Sequence, residues 1–275
     1  MIGSIIRRSS ALGVLLLITA VVFGTAAASA VTQTVYKNIP ATLPGNTVSQ
    51  GFECCQTSEF GGAVHFPENT PRRNPTIRIG LSSWACVFGE AEGNNCSTPS
   101  YNNKFKLAVT LNVYQMGPGN SVGAKVITKT QTFSMPYRPT ASSKCTTGES
   151  KGGWYGPDGE GGKACFHGKL FFIKFTTTGL LPESNAIITV TYNTRDYGYQ
   201  PTGVSGPADS LNVALTSPNA PFGPPSVGEY PNPSEDYAYS FYEHEDPMCG
   251  GQLGVLGPTG PCDTGYQPLI GVTAS

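Results

Sequence analysis

Charge is scarce in this chain, and apolar runs are short. Asp, Glu, Lys and Arg together make up only 13% of the 275 residues. The apolar run at residues 11–24 falls short of the roughly 20 residues that a membrane-spanning helix needs. A second apolar run at the carboxyl end is missing, as is a C-terminal sorting signal, and the Leu43-Pro44-Gly45-Asn46-Thr47 stretch lies too early to act as one. Histidine is limited to His65, His167 and His244, which restricts acid–base chemistry, and no H-E-x-x-H pair exists. No phosphate-binding glycine loop follows a predicted strand, so a nucleotide cofactor is not implied. Gly203-Val204-Ser205-Gly206 lacks the strand–turn–helix setting of a serine nucleophile and reads as an ordinary loop. Paired C-x-x-C knuckles are also missing, which argues against zinc.

The basic residues do not add up to a nucleic-acid binder. Beyond residue 30 there are 15 Lys and Arg against 18 Asp and Glu, a net charge of −3. Such a balance offers no broad attraction for a phosphate backbone.

What the chain does have begins with its first thirty residues. Arg7 and Arg8 precede the apolar run, and Ala28-Ser29-Ala30 supplies an A-x-A cleavage signal before Val31. This is the layout of a secretory signal peptide. Residues 1–30 are therefore expected to be a cleavable signal and residues 31–275 a single secreted domain, released outside the cell with no membrane span. All eight cysteines lie beyond the cut, where disulfides persist.

Thirty-one glycines and 23 prolines punctuate the mature chain and leave little room for an amphipathic helix. Between them the apolar residues alternate. Phe105, Leu107, Val109, Leu111 and Val113 fall on one face of a strand at 105–114, and Gly117-Pro118-Gly119-Asn120 turns it into a second strand at 125–135. Further strands are expected at 76–81, 170–175, 186–192, 211–215 and 269–273, with weaker ones at 34–36, 48–52 and 63–66. Eight or nine strands separated by turns predict an all-β, two-sheet sandwich, jelly-roll-like. The stretches 144–163 and 217–235 break the rhythm and read as long loops.

Proximity pairs Cys86 with Cys96, Cys145 with Cys165, and Cys249 with Cys262 across the glycine-rich loops. Each bond would be worth about 3 kcal/mol in the chain-entropy model. Cys54 and Cys55 either form a vicinal ring or pair elsewhere.

Trp84, Trp154 and Tyr155 sit beside these cysteines, and Tyr197 and Tyr199 follow a predicted strand. Flat rings on rigid loops can stack on sugars, and they can equally cap the open ends of a sandwich core. Glu243, Glu245 and Asp246 flank His244 and form a candidate Ca²⁺ site, although a solvated acidic loop accounts for them more simply. No other cofactor is implied.

Several segments share a pattern. They are Tyr36-Lys37-Asn38-Ile39-Pro40 with Leu43-Pro44-Gly45-Asn46, Ser58-Glu59-Phe60-Gly61, and Leu111-Asn112-Val113-Tyr114 running into Gly117-Pro118-Gly119-Asn120-Ser121. Thr130-Gln131-Thr132-Phe133, Pro136-Tyr137-Arg138-Pro139 and Asp209-Ser210-Leu211-Asn212-Val213 belong with them. Together they resemble a group of uncharacterised exported proteins of high-GC Gram-positive bacteria. The resemblance covers nearly the whole mature chain and implies export, one domain and a β-fold, but it carries no chemistry. The Cys54-Cys55 doublet departs from it.

The expectation is a secreted, non-catalytic interaction or structural protein with an extracellular ligand, carbohydrate being the one its loop aromatics suggest. The alternative is a secreted glycoside hydrolase using paired carboxylates.

Overall fold

Period-two alternation becomes strand in nearly every place it occurs. The computed structural model describes residues 31–52, 57–89, 95–100, 102–192, 211–216, 224–231, 238–242, 254–258 and 266–275. Met1–Ala30, with the expected signal peptide, lies outside them. Val31–Ser275 forms one compact unit.

The first seven strands are β1 (Gln33–Lys37), β2 (Ser49–Gly51), β3 (Thr57–His65), β4 (Thr76–Ser83), β5 (Lys104–Met116), β6 (Val122–Pro136) and β7 (Trp154–Pro157). The rest are β8 (Lys163–Phe166), β9 (Lys169–Thr176), β10 (Asn185–Tyr192), β11 (Leu211–Ala214), β12 (Ala238–Tyr242), β13 (Gly257–Pro258) and β14 (Ile270–Ala274). All pairings among them are antiparallel, in two six-stranded sheets and one two-stranded hairpin. The fold is all-β.

In the first sheet, β4 is the hub. β9 pairs with it along its whole length, while β14 meets residues 76–79 and β11 meets residues 81–83 on the other edge. β1 then adds to β14, and β2 to β11. Asn38 fastens this arrangement. Its amide donates to Pro268 O at 2.8 Å and accepts from Ile270 N at 2.7 Å. The second sheet runs β13-β12-β3-β10-β5-β6.

Side chains on the facing surfaces make one core. Ile77, Ile79, Leu81, Ile173 and Phe175 from the first sheet pack with Phe60, Val64, Leu111, Val113 and Ile188 from the second. Two sheets sharing one apolar layer form a sandwich. The outer faces are not simply solvated. Ile39, Ala214 and Leu269 form a small cluster on the first sheet, and Ala63, Tyr114, Ile187 and Tyr239 form one on the second. Tyr239 Oη donates to Asn120 O at 2.9 Å, so it reaches the turn between β5 and β6.

Two expectations change. Fourteen strands stand among the described residues where eight or nine were expected, because β7, β8, β12 and β13, at two to five residues each, are too short to show alternation. The stretch 144–163 is not all loop: it holds β7 and the first residue of β8. Asp158 closes that hairpin, its Oδ1 accepting from Glu160 N at 2.8 Å and Gly162 N at 2.9 Å.

A candidate aromatic site at the stapled end

Two of the expected disulfides are present, Cys86–Cys96 and Cys145–Cys165. Cys54, Cys55, Cys249 and Cys262 lie outside the described residues. The two stapled loops are stitched together by backbone: Arg138 N donates to Ala85 O at 2.9 Å, and Ala141 N to Cys96 O at 3.1 Å. Arg138 is fully buried between them and donates from Nη2 to Gly152 O at 2.7 Å. Burial pushes its guanidinium down to about 10.

Both tryptophans of the chain converge on Gly168. Trp154, at the start of β7, donates from Nε1 to Gly168 O at 2.6 Å and tilts against Phe166 with centroids 5.6 Å apart. Its ring lies flush on Gly45, where an added Cβ would come within 2.5 Å of it. Trp84 extends the line of β4 and stacks on His167, with centroids 5.7 Å apart and planes 17° apart. His167 Nε2 lies 3.0 Å from Glu149 O, an atom that only accepts, so Nε2 carries the proton.

Gly168 has to be glycine. A Cβ there would sit 2.3 Å from Ser82 Oγ, 2.6 Å from Asn46 Nδ2 and 2.7 Å from Trp84 Nε1. Ser82 Oγ donates to Asn46 Oδ1 at 2.7 Å. Trp84 Nε1 is buried and has no hydrogen-bond partner among the described residues. A tryptophan N–H in that position usually finds one.

Tyr155 is the neighbour of Trp154 on β7, so its side chain leaves the opposite face of the hairpin. The ammonium groups of Lys144 and Lys163 lie 4.7 and 5.8 Å from its ring centroid. A cation over an aromatic face is attracted to it. Of the predicted binding aromatics, Trp84 and Trp154 therefore come together, and Tyr155 does not join them. Tyr197 and Tyr199 lie outside the described residues. His167 lies between β8 and β9 and supports the Trp84 ring. Its position just after Cys165 was the available signal.

Glu243, Glu245 and Asp246, the candidate Ca²⁺ ligands, lie outside the described residues, as do His244 and the loop containing Ser205. Among the described residues no group of three His, Cys, Asp or Glu side chains is placed to hold a metal. Two of the surface concavities among the described residues bear on this. One is lined by Ala141, Ser142, Cys145, Thr146 and Lys151, and the other by Gln115, Met116, Val126, Leu180 and Glu183. Neither brings two carboxylates together.

One carboxylate sits in an organised polar setting. On the outer face of the second sheet, Glu59 Oε1 accepts from Asn112 Nδ2 at 2.8 Å, from Tyr114 Oη at 2.9 Å and from Thr189 Oγ1. Thr128 Oγ1 in turn donates to Asn112 Oδ1 at 2.8 Å. Burial, and then the Glu59 charge, hold the Tyr114 phenol well above the ordinary tyrosine range. His65 Nδ1 lies 2.7 Å from Asn185 Oδ1 on the neighbouring strand, a structural pairing.

Among the described residues no helix is long and apolar enough to cross a membrane. No protein-family model, curated protein or solved structure matches this chain.

Proposed function

We propose that this chain is an exported, non-catalytic interaction domain that recognises carbohydrate through Trp84 and His167 at its stapled end. One observation carries the reading: a stacked Trp–His pair mounted between two disulfides. A sugar offers an apolar C–H face to such a stack. Rigid mounting lowers the ordering cost of binding. Trp154 and Tyr155 serve as supports in this reading. The N–H of Trp154 is already given to Gly168, and two ammonium groups stand close to the ring of Tyr155.

Export is supported by the tripartite leader sequence and by the two disulfides, and it agrees with the resemblance to exported proteins of high-GC Gram-positive bacteria. Glycoside hydrolysis has less support. Glu59, the carboxylate held by three side-chain donors, gives all of them a single oxygen.

The test is a titration of intrinsic fluorescence with soluble glycans, paired with pull-down on insoluble ones. At least one glycan is expected to shift the emission, and Trp84→Ala is expected to weaken its binding at least tenfold while leaving the β-sheet circular dichroism intact. A panel with no response, or a Trp84→Ala protein that binds like the wild type, refutes the assignment.

A further inference from the structure

The sandwich has one open side. Its other sheet edges are short or covered: β2 and β13 are three and two residues long, and β1 is paired at Lys37, whose N–H donates to Val227 O at 2.8 Å. β6 and β9 differ. They are 15 and eight residues long, and among the described residues each pairs on one side only. They lie next to one another where Phe133 meets Phe175 with ring centroids 4.9 Å apart. Long unpaired edges are templates for further strands. On β6 the register with β5 slips twice, between Val113 and Met116, and such irregularities blunt an edge. β9 has no such slip, and its Leu170-Phe171-Phe172-Ile173 run is apolar without a break and free of Pro and Gly.

Hydrogen-bond phase decides which groups of β9 are open. Thr177 N donates to Pro75 O at 2.9 Å, and bonded pairs recur at every second residue of an antiparallel ladder. Ile173 and Phe175 therefore bond to β4, whereas Leu170, Phe172, Lys174 and Thr176 turn their N–H and C=O outward. Two of these outward groups are taken. Leu170 N donates to Gly45 O at 2.9 Å, and Thr176 O accepts from Lys129 Nζ. Lys129 reaches it from the face of β6 that carries Ile127, Phe133 and Met135 toward the core. Phe172 and Lys174 are left open between the two, too short a run to hold a strand.

We propose that Lys129 and Lys174 guard this edge against pairing with β9 of a second copy of the chain. An inward-pointing charge on an edge strand is one of the devices that stop sheets from adding to each other. Lys129 shortens the open run by occupying Thr176 O. Without it the run extends from Phe172 to Thr176 and is centred on Lys174. Two copies related by a two-fold axis through that residue would satisfy every outward N–H and C=O of Phe172, Lys174 and Thr176. That self-complementarity makes a second copy the occupant. The same register sets Lys174 directly opposite Lys174 of the second copy, where like charges repel. One lysine denies the pairing its length, the other its charge balance.

Light scattering on a size-exclusion column, run over a series of loading concentrations, tests the proposal. The wild type is expected to keep the monomer mass throughout. Lys129→Thr with Lys174→Thr removes both charges and installs residues favoured in strands, and it is expected to double in mass at the upper concentrations. Lys174→Thr alone changes an exposed site and should double only at higher concentration. In the doubled form the amides of Phe172, Lys174 and Thr176 should gain protection from hydrogen exchange, with β5 and β10 unchanged. Adding Thr176→Pro removes an outward N–H, spares the bonds to β4 and should restore the monomer mass. Lys129→Arg with Lys174→Arg keeps both charges and should stay monomeric. Four results overturn the proposal: a wild type that already doubles, neither Thr variant doubling, doubling in the Arg variant, or doubling that leaves the three amides unprotected or survives Thr176→Pro.

Discussion

The body of the sandwich and its stapled end are held together by different means. In the body, β3, β5, β9 and β10 bury Phe60, Val64, Leu111, Val113, Phe175 and Ile188 in one shared layer. Area removed from water, at roughly 25 cal/mol per Å², is the dominant force there. The segment 142–153 offers almost nothing of that kind, reading Ser-Ser-Lys-Cys-Thr-Thr-Gly-Glu-Ser-Lys-Gly-Gly. It is fixed instead by Cys145–Cys165, by the Arg138 guanidinium on Gly152 O and by the backbone bond from Gly152 N to Cys145 O at 2.9 Å. A region ordered by covalent and polar links need not bury its aromatics to be stable. Trp84, Trp154 and Tyr155 can therefore stay partly exposed and still be rigid.

The harshest way to break this contrast is to open the body. Phe175 is fully buried and stands edge-on to Phe133 with centroids 4.9 Å apart. Phe175→Ala is expected to cost about 3–5 kcal/mol, read as a drop in the urea midpoint with the m-value unchanged. A loss below about 1 kcal/mol would mean that the shared layer is not what holds the two sheets together.

How much of this could be read from the sequence follows the same division. Where Phe105 to Val113 alternate over many residues, strand, face and burial were all legible, because the period of two is long enough to register. The 86–96 and 145–165 disulfides were legible by proximity. The β7–β8 hairpin was not, since four-residue strands interrupted by Gly156 and Pro157 show no period. The partnership of Trp84 with His167 could not be read either. It depends on β4 and β9 being neighbours, and a long-range pairing leaves no local mark in either segment.

The next largest effect should fall on the stapled end alone. Replacing Cys145 and Cys165 together by serine opens a link between residues 20 apart, worth about 3 kcal/mol in the chain-entropy model. Amide hydrogen exchange is expected to accelerate across residues 142–166 while β5 and β10 keep their protection, because local opening need not involve the core. Equal acceleration in β5 and β10 would show that the two regions open as one unit, and the contrast would collapse.

The smallest of the three effects sharpens the comparison, because the body also contains a polar device. Tyr114 Oη donates to Glu59 Oε1 at 2.9 Å on the outer face of the second sheet. Hydrogen bonds to a charged group are worth about 1.5–3 kcal/mol, so Tyr114→Phe should lower stability by that amount at neutral pH. The sign of the pH dependence follows from the direction of the shift. The folded protein holds the Tyr114 proton to higher pH than the unfolded chain, whose phenol titrates near 10.0. Below that pH both states are protonated, and the stabilisation is complete. Above it the unfolded chain releases its proton first, so stability is lost as pH rises. Urea unfolding at neutral pH and just above pH 10 should therefore show the gap between wild type and Tyr114→Phe narrowing on the alkaline side. A gap that stays constant would mean that Tyr114 titrates alike in both states. Glu59 would then be held by Asn112 and Thr189 without the phenol.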